Sequence, residues 1–338
     1  MKGEAGSTHN TSGGLPAMTR LTLALAALFA SAVLVHANPE RWAAEGWRTD
    51  FSRTTVSFSE ILSGGPPRDG IPSIDEPRFL PAKAIEAIGA AEPVIRLEVD
   101  GEVRAYPLQI LMWHEIANDV ISGVPVAVTY CPLCNASLVF DRRLEGQVLE
   151  FGTTGKLRNS DLVMYDRQTE SWWQQFTGEA VVGELTGKKL KLIPSRIVSF
   201  SNFAAENPDA SVLVPNDPDF RDYGRNPYAS YDSATVPFLY RGDLPDDIPA
   251  MARVVVVREG QTPVIVSLDK VRKDGFARDG LEFQFESGVA SALDRSRIAD
   301  GRDVGTVRVM RDGVDVAHDV TFAFVAHAFH PDVPIITE

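Results

Sequence analysis

The sequence predicts an α+β, strand-rich fold made of two related halves that arose by a degenerate internal duplication. Three observations lead there. Short apolar runs recur between glycine turns, as in Val124-Pro-Val-Ala-Val-Thr-Tyr130. An Asp100-Gly101 pair separates Val94–Val99 from Glu102–Tyr106, the signature of a tight hairpin. Blocks from the first half return in order in the second. Met251–Gly260 echoes the hairpin, Gly280–Phe285 echoes Gly123–Val128, and Ala290–Asp294 echoes Ala136–Asp141. The ends agree too, Ser199–Asp209 against Thr321–Asp332.

The elements follow in chain order. Residues 1–37 form a signal peptide with an upstream extension. Arg20 precedes an apolar run from Leu21 to Val35, and Val35-His36-Ala37 offers a small-residue cleavage site. The run is about 15 residues, short of the ~20 that span a bilayer, so the expectation is cleavage and a periplasmic or secreted protein with no stable membrane span. Residues 38–92 form an irregular, Pro/Gly-rich N-terminal segment, with a short helix at 81–88. Residues 93–213 form the Cys-bearing repeat. Pro107 suits the first turn of a helix over 107–120. Strands are expected at 124–130, 136–141, 148–153 and 161–165, then shorter ones through 171–193 and a helix at 198–206. Residues 214–250 are a proline-rich linker, and 251–338 the degenerate second repeat.

Composition excludes several roles. Hydrophobic residues make up 44% and charged residues 23% of the 338, ordinary for a globular protein. The net charge of −13 argues against nucleic acid or an anionic membrane as partner.

Cys131 and Cys134 are the two cysteines of the chain, two positions apart after an apolar run. Outside the cytoplasm such a pair can close a redox-active disulfide, hold a soft metal, or act as a clip. A clip is weakly motivated, because so small a loop gains little entropy on closure. The residues after Cys134 alternate like a strand, which disfavours a thioredoxin-type site at a helix start. Haem attachment needs a His at position 135, where Asn stands. His114 lies upstream on the expected helix, with Glu115, Asn118 and Asp119 able to orient it. Two thiolates and His114 suit copper first and zinc second. A lone His is otherwise a packed or backbone-bonded residue.

The densest polar and aromatic stretch runs from Gly152 to Gln175. Its glycine spacing is not that of a P-loop. Arg158, Asn159, Ser160, Asp161, Tyr165, Asp166, Trp172 and Gln174 are the candidate ligand-binding residues. Asp161 and Asp166 are also weak candidates for catalytic carboxylates. On a strand Trp172 and Trp173 face opposite sides, so one is expected in the core and the other in a cleft. His318, His327 and His330 gather near the C-terminus, a pattern that fits metal binding or simple surface exposure.

These residues together resemble domain-of-unknown-function family 3179. The likeness rests on Ala105-Tyr-Pro-Leu108, Trp113–Asp119, Val128–Cys134, Asn159–Asp166, Ser171–Gln175 and Tyr223–Tyr228, and covers about residues 70 to 336. One mild departure is Gly152-Thr-Thr-Gly155, where the family resembles Gly-x-Ser-Gly. The resemblance implies an exported or membrane-associated bacterial or archaeal protein and no established activity. The expected function is extracytoplasmic metal binding or redox chemistry at Cys131, Cys134 and His114. A thiol-disulfide oxidoreductase with Cys131 as nucleophile, and a module binding a polar ligand such as carbohydrate through Tyr165, Trp172 and Gln174, are the alternatives. The partner is accordingly a small molecule or a redox protein.

Overall fold

Strand pairing begins at the Asp100-Gly101 turn. Pro93–Val99 and Glu102–Pro107 pair antiparallel, with Val99 opposite Glu102. Asp100 and Gly101 both adopt positive φ, as a two-residue hairpin turn requires. A computed structural model describes residues 39–260 and 262–338; the expected signal peptide lies outside them. Among the described residues no helix is long and apolar enough to cross a membrane.

The architecture is α+β and strand-rich. One five-stranded sheet runs in the order Ser195–Ser199, Pro93–Val99, Glu102–Pro107, Ser211–Val214, Arg78–Pro81. A second runs Ile61–Ser63, Phe151–Arg158, Asp161–Asp166, Trp172–Gln174, Glu179–Val182. A four-stranded sheet carries Lys191–Ile193, Ala136–Asp141, Val124–Cys131 and Ile116–Ile121. Later in the chain come a three-stranded sheet, Val264–Ser267, Arg253–Val257, His318–Phe322, and a four-stranded one built around Leu281–Glu286 and Thr306–Arg311.

One local order occurs twice. Pro93–Val99 and Glu102–Pro107 lead into the helix Leu108–His114, and Ser195–Ser199 returns beside Pro93–Val99 before the helix Phe200–Glu206. Arg253–Val257 and Val264–Ser267 lead into the helix Leu268–Asp274, and His318–Phe322 returns beside Arg253–Val257 before the helix Ala323–Phe329. All four helices have seven residues. The largest buried cluster joins Cys131, Cys134, Leu138 and Phe140 to Val254, Val256, Phe322 and Phe324, so the described residues share one main core.

Three expected helices change. The helix at 107–120 stops at His114, because Glu115 takes φ 58° and its N–H closes onto Leu111 O. The chain then turns directly into Ile116–Ile121, which pairs with Val124–Cys131 through the Ser122-Gly123 turn. The helix at 81–88 shrinks to one 3-10 turn, Ala82–Ala84, after a strand that ends at Pro81. The helix at 198–206 starts only at Phe200, where Ser199 Oγ caps it by accepting from Asn202 N. The segment expected to be irregular before residue 92 supplies two edge strands and packs Trp42 and Trp47 around Trp172.

Candidate functional site

The cysteines occupy a hairpin tip. Cys131 closes the strand Val124–Cys131 and pairs with Ala136, the first residue of the next strand. Cys134 N donates to Cys131 O and Asn135 N to Pro132 O, while Asn135 adopts φ 52°. This is a tight turn between strands and not a helix start, so no helix N-terminus lowers the thiol pKa values. Thr321 Oγ1 and Phe322 N both donate to Cys134 O, at 2.8 and 3.2 Å, and pin the turn to the strand His318–Phe322.

A second hairpin brings Asp161 beneath the first. Arg158 pairs with Asp161, and the two residues between them, Asn159 and Ser160, both take positive φ, at 54° and 62°. A two-residue turn of that hand suits Asn but strains Ser. Ser160 is held there by its hydroxyl, which donates to Phe238 O, and its carbonyl accepts from Cys131 Sγ at 3.7 Å. Cys131, Cys134 and Asp161 are all buried, and their two sulfurs and a carboxylate oxygen lie within 4.8 Å of one another.

Arg158, Gln174 and Asp161 form a chain. Gln174 Nε2 and Phe176 N donate to Asp161 Oδ2 at 2.5 and 2.8 Å. Gln174 Oε1 accepts from Arg158 Nη1 at 3.3 Å, and Arg158 also pairs with Glu60 at 2.7 Å. Asp161 Oδ1 is buried without a hydrogen-bond partner. Burial raises the Asp161 pKa to about 6 against these donors. Glu115 rises to about 8, first by burial and then by the nearby Asp161 charge. Burial pushes both thiols up, Cys134 strongly. Four acidic groups therefore crowd one buried region, each driven toward its neutral form.

His114 does not join them. Its Nδ1 contacts Pro72 O and its Nε2 contacts Tyr223 OH, both at 2.7 Å. A carbonyl only accepts, so Nδ1 carries the proton and Nε2 accepts from the tyrosine. The ring stacks on Tyr223 at 5.9 Å. The early end of the helix at Glu115 is the physical reason for this placement. Its expected orienting partners are engaged elsewhere: Asn118 with Asp75 and Phe151, Asp119 with Arg104 and Tyr106.

The other candidates divide. Asn159 and Ser160 shape the turn under the sulfurs. Tyr165 donates to Asp69 Oδ2 and packs among Trp47, Val163 and Trp172, in a cluster separate from the one that holds the cysteines. Asp166 accepts from Thr169 N and Trp173 Nε1 and serves a turn. Trp172 and Trp173 are both fully buried, in different clusters, so neither lines the expected cleft. Of the C-terminal histidines, His318 is buried between Val316 O and Val307 O, and the three form no metal cluster with one another. Arg258 and Asp319, which the sequence reading passed over, act electrostatically on Asp161 and on each other.

Segment 214–250 covers the hairpin tip. Tyr231 OH donates to Leu133 O at 3.1 Å, and Phe238 N donates to Tyr231 OH at 3.3 Å. A cavity lined by Tyr130, Asn135, Ser137, Arg253 and Ser291 adjoins the hairpin, but neither cysteine nor Asp161 forms its wall.

Residues 68–333 match the family model described as "Protein of unknown function (DUF3179)". The chain belongs to this family. The matched DUF3179 region contains every residue of the buried cluster and the covering segment. No curated protein and no solved structure matches the chain.

Proposed function

We propose that this is an extracytoplasmic metal-binding protein whose centre is Cys131, Cys134 and Asp161. The observation that carries the reading is the convergence of two sulfurs and a carboxylate within 4.8 Å in a buried setting, with Asp161 Oδ1 unpartnered. A buried acceptor without a donor costs about 1–3 kcal/mol, and a bound cation removes that cost. Copper was the expectation for two sulfurs and an imidazole. Two sulfurs and a carboxylate oxygen fit the harder zinc(II) better, with three protein donors and a fourth position open. The placement outside the cytoplasm rests on the Leu21–Val35 run. The recurring strand-strand-helix order supports reading the halves as copies, with the metal ligands in the first.

Metal content of protein purified without a His tag tests the proposal. The wild type is expected to carry about one zinc per chain, and a Cys131→Ser/Cys134→Ser variant none. Equal metal in both removes this site.

A second reading is supported by one observation, the two free thiols buried within 4.8 Å of each other. The pair would then cycle between dithiol and disulfide with a partner protein. Raised thiol pKa values and the hairpin setting weigh against Cys131 as a fast nucleophile. A measured potential below about −300 mV would mark any bridge as structural.

A further inference from the structure

Segment 214–250 is anchored at two places with a bare stretch between them. Ser230 N donates to Asp294 O at 2.7 Å, and the buried Asp232 carboxylate pairs with Arg253 at 3.1 Å and Arg302 at 3.0 Å. Further on, Ala250 O accepts from Phe324 N at 3.0 Å. Over residues 234–249 the chain forms no helix or strand, and Pro237 is the single buried residue of that stretch. Val236, Phe238 and Leu244 are exposed. Tyr240, beside Phe324 at 5.0 Å, and the half-buried Ile248 hold the stretch to the main core. Leu239 adopts φ 54°, a left-handed backbone that a bulky side chain rarely takes. At Phe238 the stretch meets the two hairpins of the site. Phe238 N donates to Tyr231 OH at 3.3 Å, and Phe238 O accepts from Ser160 Oγ. Tyr231 OH donates in turn to Leu133 O at 3.1 Å, and its ring lies within electrostatic reach of both thiols. Leu133 stands between Cys131 and Cys134, and both cysteines are buried.

A stretch with little buried apolar surface and few backbone partners opens at less cost than the sheets it crosses. We propose that residues 234–249 are a gate over the turn that holds Cys131 and Cys134, swinging between the Asp232 and Ala250 anchors, with Tyr231 as the catch. Opening separates Phe238 from Tyr231 and Ser160 and leaves the strands below intact. Release of the strained Leu239 backbone favours the open form. The gate serves the same cluster as the metal reading, but it shields the thiols whether or not an ion binds there. Metal-free protein therefore tests it apart from that reading.

Alkylation of the reduced, metal-free protein by iodoacetamide, timed against global unfolding, tests it. The wild-type thiols are expected to react far more slowly than in the denatured chain, yet faster than the whole chain unfolds. Tyr231→Phe keeps the ring and loses the hydroxyl; Ser160→Ala loses the other tie to Phe238. Each should speed alkylation about tenfold, the worth of one hydrogen bond. Gly123→Ala, at the opposite end of the strand that leads to Cys131, weakens the fold away from the gate and should leave the rate near that of the wild type. Thermal melting checks that each variant is folded. Wild-type thiols as reactive as in the denatured chain, or no faster than global unfolding, overturn the proposal. So does an unchanged rate in either folded gate variant, or an equal acceleration in Gly123→Ala.

Discussion

Gln174 joins Arg158 to Asp161: its amide nitrogen donates to Asp161 Oδ2 at 2.5 Å, and its amide oxygen accepts from Arg158 at 3.3 Å. A surface ion pair, Arg158 with Glu60, is thereby coupled to a buried carboxylate.

Gln174→Leu cuts that coupling. The lost donor is one of those holding the Asp161 pKa down, so the carboxyl should titrate above about 6. We predict weaker zinc binding near pH 6, recovering as pH rises, and a stability loss of about 1–3 kcal/mol. Zinc titrations at several pH values check this. A pH profile identical to wild type would separate Gln174 from the site.

Stability of the metal-free protein should fall as pH rises above about 6.5. Glu115, Asp319 and Asp161 have folded pKa values of about 8, 7 and 6, all above the usual carboxylate range. Between the unfolded value near ~4 and these folded values the folded state binds more protons, so the slope of stability against pH is negative. The penalty is absent below about pH 4 and complete above about pH 8. Above about pH 6.5, where the buried His114, His318 and His330 no longer gain protons on unfolding, melting temperatures should decline without metal and flatten with zinc. A rising profile there in the metal-free protein contradicts the assignment.

His114→Ala should retain its metal. Both ring nitrogens are used by Pro72 O and Tyr223 OH, away from the sulfurs. The expected loss is of stability, about 1–3 kcal/mol for the stranded partners. Metal analysis beside Asp161→Asn, which should lose metal, separates the two residues. The reverse outcome would restore the imidazole as a ligand.

Gly155→Ala should be among the most damaging single substitutions. Gly155 has φ 69°, and an added Cβ would lie 2.0 Å from Pro66 O. A backbone atom cannot rotate away, so a cost of ~3 kcal/mol or more is expected. Gly123→Ala, also at positive φ but with nothing within 4 Å, should cost only about 1 kcal/mol. Denaturant unfolding of both variants checks the contrast.

Local signals made part of this protein readable. Asp100-Gly101 marked its hairpin because only a few residue types tolerate that turn. The run 124–130 was visible because a buried strand is nearly all apolar. The helix through 114–120 was misread because Glu115 enters a left-handed conformation that its residue type does not signal. That error carried His114 toward the cysteines. Asp161 stood out as a polar candidate, but its meeting with Cys131 depends on two hairpins about thirty residues apart, which no local pattern encodes. Arg258 had a fainter mark, a charge at the edge of the apolar run Val254–Val257, while Asp319 lies in the mixed strand His318–Phe322 and had none.

The latch from Tyr231 to Leu133 and from Ser160 to Phe238 bears on kinetics. If an ion sits below it, release requires that segment to lift first, so residence time follows the opening rate rather than bond strength alone. On that reading the protein would hold its cargo as a slow reservoir, and competing chelators would strip it at a rate independent of their own affinity.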